Sequence, residues 1–406
     1  MSGAAEVSGP SHVRPVARRA VFHVGGYERN DAGAFFGRLE REFERFRSCW
    51  SVSASLGPVV PVRPEAASAT VVYEDGFRRT ETELTFLDYD DLVASERARP
   101  AGRRLREYAA AFADYVASGT ASGFFRANWR FGLFFLYPVI GWSMPLLLGC
   151  LVFAAVRAVP VPGAGTAAVV LGLAAALATL RHLARRLLLF HVKGLWIAAF
   201  DVAHGRAPAF ERRLEAWADV VRDRLADGRF DEVVFVGHSF GGMLVLDLAA
   251  RHAARVAAAG GVPAFHVFTV GSTAPMVTMH PRAEAARATL RYLAGQDGVQ
   301  WVDVQALIDP INFFRCDPMV LSGVPSPRAG PFPFVYETRI RDMVDPAFYA
   351  AMKHSVFRIH YQFVSANTRR YGYDYPMLCF GPMPAAYAVV RGVGQRLFDP
   401  AAPVLD

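Results

Sequence analysis

Charge is scarce in this 406-residue chain: Asp, Glu, Lys and Arg make up 20% of it and apolar residues 53%, whereas soluble domains carry about 25% charge. That shortage excludes a disordered chain and poorly suits a molecule wetted on every side, so part of it is expected to sit in lipid. Cysteine is also sparse. Cys49, Cys150, Cys316 and Cys379 are scattered with no C-x-x-C pair, which argues against a structural zinc site and a disulfide framework and fits a reducing compartment. Residues 1–19 lack an apolar run of signal-peptide length, so no cleaved secretion signal is expected. Neither internal repeats nor low-complexity tracts occur. The arginine-dense stretch 96–107 (Arg97, Arg99, Arg103, Arg104, Arg106) lacks interleaved aromatics and a binding motif. It is expected to be a solvated or lipid-facing surface, with no nucleic-acid partner. The net charge of +7 and pI near 9.4 instead suit a chain held against anionic lipid.

Two long uncharged runs are present. Residues 131–156 contain no charged side chain, and after Arg157 a second run covers 158–180. A helix needs roughly 20 apolar residues to cross a hydrocarbon core of about 30 Å, so the pair predicts a transmembrane hairpin, with turn residues 159–165 between its arms. Arg126 and Arg130 precede it, and Arg181, Arg185, Arg186 and Lys193 follow it. The positive-inside rule therefore places both long flanks in the cytoplasm. Trp129, Trp142 and Trp196 are candidate interfacial anchors. Gly163-Ala-Gly165 spells part of a dinucleotide fingerprint but lacks the strand and acidic residue that motif requires. Residues 187–200 are apolar with sparse charge, expected either in the interface or as a wall of the active site.

Outside the hairpin, short apolar strands alternate with amphipathic helices, which predicts an α/β fold with a mostly parallel sheet flanked by helices. Strands are expected at 20–24, 70–73, 83–87, 232–236, 265–270, 301–304 and 334–340. Helices are expected at 34–50, 208–225, 241–254 and 282–293. The organisation is one domain in two parts, 1–125 and 201–406, with the hairpin insertion at 126–200.

The most informative stretch is Val233-Val-Phe-Val-Gly-His-Ser-Phe-Gly-Gly242, a buried strand running through G-x-S-x-G into a helix. Lifted onto a tight turn, Ser239 has its Oγ exposed at a helix N-terminus, where developing negative charge is favoured. Here the sequence resembles the α/β-hydrolase family, and GHSFGG is similar to the elbow of lipases and thioesterases. The resemblance implies the chain order nucleophile, acid, histidine. It also implies an oxyanion hole built partly from the Phe240 amide, with a second donor in the loop after an early strand, here Gly25 or Gly26 in Val21-Phe-His-Val-Gly-Gly-Tyr27.

For the acid, Asp309 in Leu-Ile-Asp-Pro-Ile resembles the family's strand-then-Asp pattern; Asp317 is the rival and Asp303 is expected inside a strand. For the base, His360 is preferred over His354 and resembles a histidine that opens a helix in membrane-associated hydrolases. His23 and His238 are expected to shape the site. Together these residues predict a membrane-anchored serine hydrolase acting on an acyl ester or thioester of lipid-like character, needing neither metal nor organic cofactor. Acyl transfer to another acceptor and deacylation of a lipid headgroup are the alternatives within that chemistry. A catalytically silent, membrane-tethered scaffold is the alternative outside it.

Overall fold

In the computed structural model, residues 14–186 and 189–385 are described. The first 13 residues of the polar N-terminal stretch, the side chains of residues 184–186 (Arg185 and Arg186 among them) and 189–191, and residues 187–188 and 386–406 lie outside the described residues. The chain begins with β1 (Arg18–Val24), α1 (Ala32–Trp50), β2 (Ser53–Leu56), β3 (Val60–Arg63), β4 (Ala66–Glu74) and β5 (Arg79–Leu87). Seven helices follow: α2 (Asp90–Ala98), α3 (Ala101–Ala117), α4 (Thr120–Ala127), α5 (Trp129–Arg157), α6 (Ala164–Arg186), α7 (Leu189–Ala203) and α8 (Pro208–Leu225). Then come β6 (Glu232–His238), α9 (Gly241–Ala258), β7 (Phe265–Val270), α10 (Pro275–Thr278), α11 (Glu284–Ala294), β8 (Val299–Ala306), α12 (Pro318–Leu321) and β9 (Phe334–Thr338). The short helices α13 (Ile340–Met343), α14 (Pro346–Met352), α15 (Val356–Tyr361) and α16 (Tyr375–Phe380) close the described chain.

The strands form one nine-stranded sheet in the order β2-β4-β5-β1-β6-β7-β8-β9, with β3 paired to β4. It is mixed. From β5 through β9 the neighbours run parallel, but β2, β3 and β5 all pair antiparallel with β4. The antiparallel end exists because the β4–β5 connection is a tight turn: Asp75 Oδ1 accepts from the amides of Phe77 (3.0 Å) and Arg78 (2.8 Å), and Gly76 takes a left-handed φ of 87°. A turn this short joins only antiparallel strands. β5 is longer than its expected core because its first four residues, Arg79–Thr82, are polar, and β4 because its first four, Ala66–Ala69, are too small to read as an apolar run; β2 and β3 lack an apolar run that would announce them.

The period of two along the central strands sorts side chains to two cores. Val234 and Val236 of β6 face the core formed with α1, α16 and the C-terminal helices, while Phe235 faces the core formed with α7, α8 and α9. Because both faces are covered, the central strands read as continuous apolar runs. At the sheet's middle the chain changes sides: from β1 it crosses to the far edge at β2, returns inward through β4 and β5 to lie beside β1, and then continues on β1's other side with β6. The carboxyl ends of β1 and β6 thus flank a topological switch point, where open α/β sheets form crevices.

α5 and α6 are long and apolar enough to cross a membrane. Their middles are bare, with Leu146, Leu147 and Leu151 each more than half exposed, whereas the foot of α5 is buried in the domain through Phe131, Phe134 and Phe135. Two expectations fail here. Trp196 is no interfacial anchor; it is 1% exposed, with Phe135 packed edge-on at 5.0 Å. Nor is the arginine-dense stretch wholly surface: Arg104 is buried and forks onto buried Glu96 at 2.7 and 3.1 Å, a bidentate pairing that lets a charge leave water. Helix α7 answers the alternative left open for residues 187–200, since residues 192–199 are buried against the domain.

Candidate active site

Strand β6 delivers Ser239 to the switch point. Ser239 has φ 56°, a left-handed conformation that costs a non-glycine residue on the order of 1–3 kcal/mol and persists only where surroundings enforce it. Here the Ser239 amide donates to Val270 O (3.1 Å), and its carbonyl accepts from the amides of Gly242 (3.0 Å) and Thr273 (3.1 Å). The turn also requires glycine at 241, where a Cβ would collide with the carbonyls of Val24 and Gly25 at the end of β1. The result is a serine at the N-terminus of α9, lining a cavity of about 230 Å³.

The same cavity is lined by His360, and His360 Nδ1 lies 2.7 Å from Asp309 Oδ2. A carboxylate only accepts, so Nδ1 carries the proton and Nε2 is left as the basic nitrogen. His360 Nε2 is buried and has no hydrogen-bond partner. It does not hydrogen-bond Ser239 Oγ; the two side chains share the cavity without closing that link. Catalytic hydrogen bonds often tighten only when substrate binds. Asp309 is fully buried on the loop after β8. Its Oδ1 accepts from the Ile311 amide at 3.0 Å, and Asn312 ties the loop shut through Ala306 O (2.9 Å) and Asp309 O (2.7 Å).

The rivals fall elsewhere. Asp317 caps α12, accepting from the Met319 amide at 2.7 Å. Asp303 is buried within β8, where Gln305 Nε2 donates to it at 2.6 Å. His354 is exposed. One detail of the expectation is corrected: His360 lies in the last turn of α15, whose N-cap is Ser355, so it closes that helix rather than opening it.

The two expected glycines have different surroundings. Gly26 lines the cavity, and a Cβ there would sit 3.2 Å from Ser239 Cβ and 3.7 Å from Oγ, so its backbone passes beside the serine side chain. Gly25 is packed against Phe86 and its carbonyl accepts from the Tyr89 hydroxyl at 3.0 Å. Phe240 is the N-cap of α9. Among the described residues its amide donates to no carbonyl, leaving it available to an oxyanion.

Histidines 23 and 238 are both held neutral by burial. His238 Nε2 donates to His360 O at 3.2 Å, and its ring lies 4.6 Å from that of His360. Burial first, then the neighbouring His360 charge, pushes its pKa well below the usual histidine range. His23 is pushed down to about 3, chiefly by burial and secondarily by Arg38; it stacks on Phe35 at 4.9 Å outside the cavity wall. Sequence reasoning missed Glu28, which lines the cavity. Burial raises its pKa to about 7, against the opposing pull of Arg38 and His360. The apolar walls were also missed: Phe134 comes from α5, and Val192 and Leu195 come from α7.

Away from this cavity, Asp114, His204 and His280 bring three ligand-type atoms within 4.8 Å of one another. The hydrogen bonds there oppose a metal. His280 Nδ1 accepts from the Arg282 amide at 3.2 Å, so the proton sits on Nε2, which donates to Asp114 Oδ2 at 2.7 Å. No family model matches this chain, and neither a curated protein nor a solved structure matches it.

Proposed function

We propose that this chain is a membrane-anchored serine hydrolase of the α/β-hydrolase type that cleaves an acyl ester or thioester. The observation that carries the reading is the convergence, in one cavity, of a left-handed serine on a strand–helix turn and a histidine whose Nδ1 donates to a buried aspartate. Three segments far apart in sequence, after β6, after β8 and in α15, meet there in the order nucleophile, acid, histidine.

In the proposed reaction Ser239 Oγ attacks the acyl carbonyl as His360 Nε2 takes its proton. Asp309 holds the imidazole tautomer and stabilises the imidazolium. The tetrahedral oxyanion points at the Phe240 amide, with the Gly26 segment beside it; the dipole of α9 adds to that stabilisation. Collapse expels the alcohol or thiol, which takes the proton from His360 and leaves an acyl-serine. Water, deprotonated by His360, then attacks that ester, and the second collapse releases the carboxylic acid and restores Ser239. In this reading the α5–α6 pair anchors the chain as two membrane spans, and the flanking arginines favour a catalytic domain on the cytoplasmic side.

The test is fluorophosphonate labelling of the detergent-solubilised full chain. Wild type and His354→Ala label; Ser239→Ala and His360→Ala do not. Folded wild-type protein that takes no label would contradict the hydrolase reading and favour a binding or scaffold role.

A further inference from the structure

A second cavity, of about 390 Å³, lies against the first at the foot of α5. Leu133 and Tyr137 of α5 form one side, and Ile308 and Pro310, which bracket Asp309, form the other. Phe134 and Phe357 belong to the walls of both cavities, so these two rings stand between the serine cavity and the groove. The groove's lining is chiefly apolar and includes the cations Arg130 and Lys353.

The position of this groove along α5 can be worked out from helix geometry. Counting back from Arg157, about 20 residues at about 1.5 Å each cover a hydrocarbon core of about 30 Å, which puts the near boundary close to Tyr137. Phe134 then lies one turn outside it. An open apolar groove at that depth faces the headgroup-proximal part of the lipid chains, where their ester groups lie, and the cations of its lining sit at headgroup level, where anionic lipid attracts them.

We infer that the acyl chain of the substrate enters this groove sideways from the bilayer and runs between Phe134 and Phe357 to present its carbonyl to Ser239. The inference rests on the membrane-anchored hydrolase reading and narrows it: the substrate is a membrane-resident ester or thioester with a long, flexible chain. Its leaving group lies on the opposite side of the serine, toward Arg29 and Arg97, which line the other part of the first cavity. Continuity with the serine cavity, and contribution of one wall by the spanning helix itself, favour a lipid chain over an apolar peptide as occupant.

The experiment uses the full chain in vesicles of phosphatidylcholine and phosphatidylglycerol. The probe is a dodecyl fluorophosphonate with a terminal photoreactive diazirine. After it has bonded to Ser239, irradiation should cross-link its tail to peptides carrying Leu133, Tyr137 or Ile308. Alongside, Leu133→Trp should lower the ratio of dodecanoyl to butanoyl ester turnover at least tenfold; Leu133 is 44% exposed, and labelling by an ethyl fluorophosphonate reports whether the variant is folded. Cross-links confined to the segments of Arg29 and Arg97, or a ratio unchanged by Leu133→Trp in folded protein, overturn the inference while leaving the hydrolase intact. Wild type that resists even the ethyl probe brings down the hydrolase reading, and this inference with it.

Discussion

The foot and the middle of helix α5 are both apolar and meet opposite surroundings. At its foot, Phe131, Phe134 and Phe135 are almost wholly buried among α4, α7 and the loop carrying Phe313. Three turns later, Leu146 and Leu147 are 66% and 62% exposed. Hydrophobicity alone does not say what an apolar side chain will face. The foot is aromatic and finds partners of complementary shape, and it is followed by an apolar surface that packs chiefly against α6. The helix is thus both a strut of the α/β domain and an exposed apolar length sufficient to cross a membrane, and the serine cavity borrows Phe134 from the strut.

Substitutions can break this comparison. The largest effects belong to the domain's chemistry: Ser239→Ala should lower ester turnover at least about 10³-fold, and Asp309→Asn roughly 10²–10⁴-fold through loss of the correct imidazole tautomer. Steady-state kinetics on a soluble ester measures both, and Asp317→Asn, which alters only a helix cap, should leave the rate within about twofold. Next comes the helix itself. Phe131→Ala should destabilise the domain by about 3–5 kcal/mol, because it empties a packed site, whereas Leu147→Ala should change stability by less than about 0.5 kcal/mol. Denaturant unfolding in detergent compares them, and equal effects would erase the distinction between strut and span.

A smaller effect concerns Glu28. Burial favours its neutral form up to about pH 7, so below that pH Glu28→Gln should match wild type. Above it the carboxylate ionises near His360, and an anion there stabilises the imidazolium formed during attack. The wild type should then exceed the variant, about two- to fivefold at pH 8–9, in a pH–kcat/KM profile. The smallest effect is at His354, where replacement by Ala should leave turnover unchanged within about twofold.

The parts of the molecule legible in the sequence are those whose chemistry is local. Gly237-His-Ser-Phe-Gly241 signals its turn by a local spacing, although only Gly237 answers a close approach from nearby residues, Gly241 and Val245, while Gly241 answers one from Val24 and Gly25 across the sheet, and the uncharged run 131–156 needs only its own composition. Asp309 and Asp317 could not be separated that way. Both precede proline, and only the fold reveals that one reaches His360 while the other caps a four-residue helix. The antiparallel end of the sheet was missed because β2 and β3 are short and half-polar, so no apolar run marks them. Arg104 read as surface because its partner Glu96 lies eight residues earlier on a different helix, a spacing that no helical periodicity reveals. The walls supplied by Phe134, Val192 and Leu195 were hidden for the opposite reason: in an apolar region, lining residues look like every other residue.

The most direct measurement of the central claim is trapping of the acyl-enzyme. Full-length protein in detergent is mixed with excess p-nitrophenyl ester, quenched in acid during the burst, digested and mapped by mass spectrometry. The account predicts a nitrophenolate burst approaching one per active chain, with the acyl mass on the peptide that contains Ser239 and none in Ser239→Ala. No burst with no acylated peptide from folded, turning-over protein, or an acyl group mapped to another residue, would contradict it.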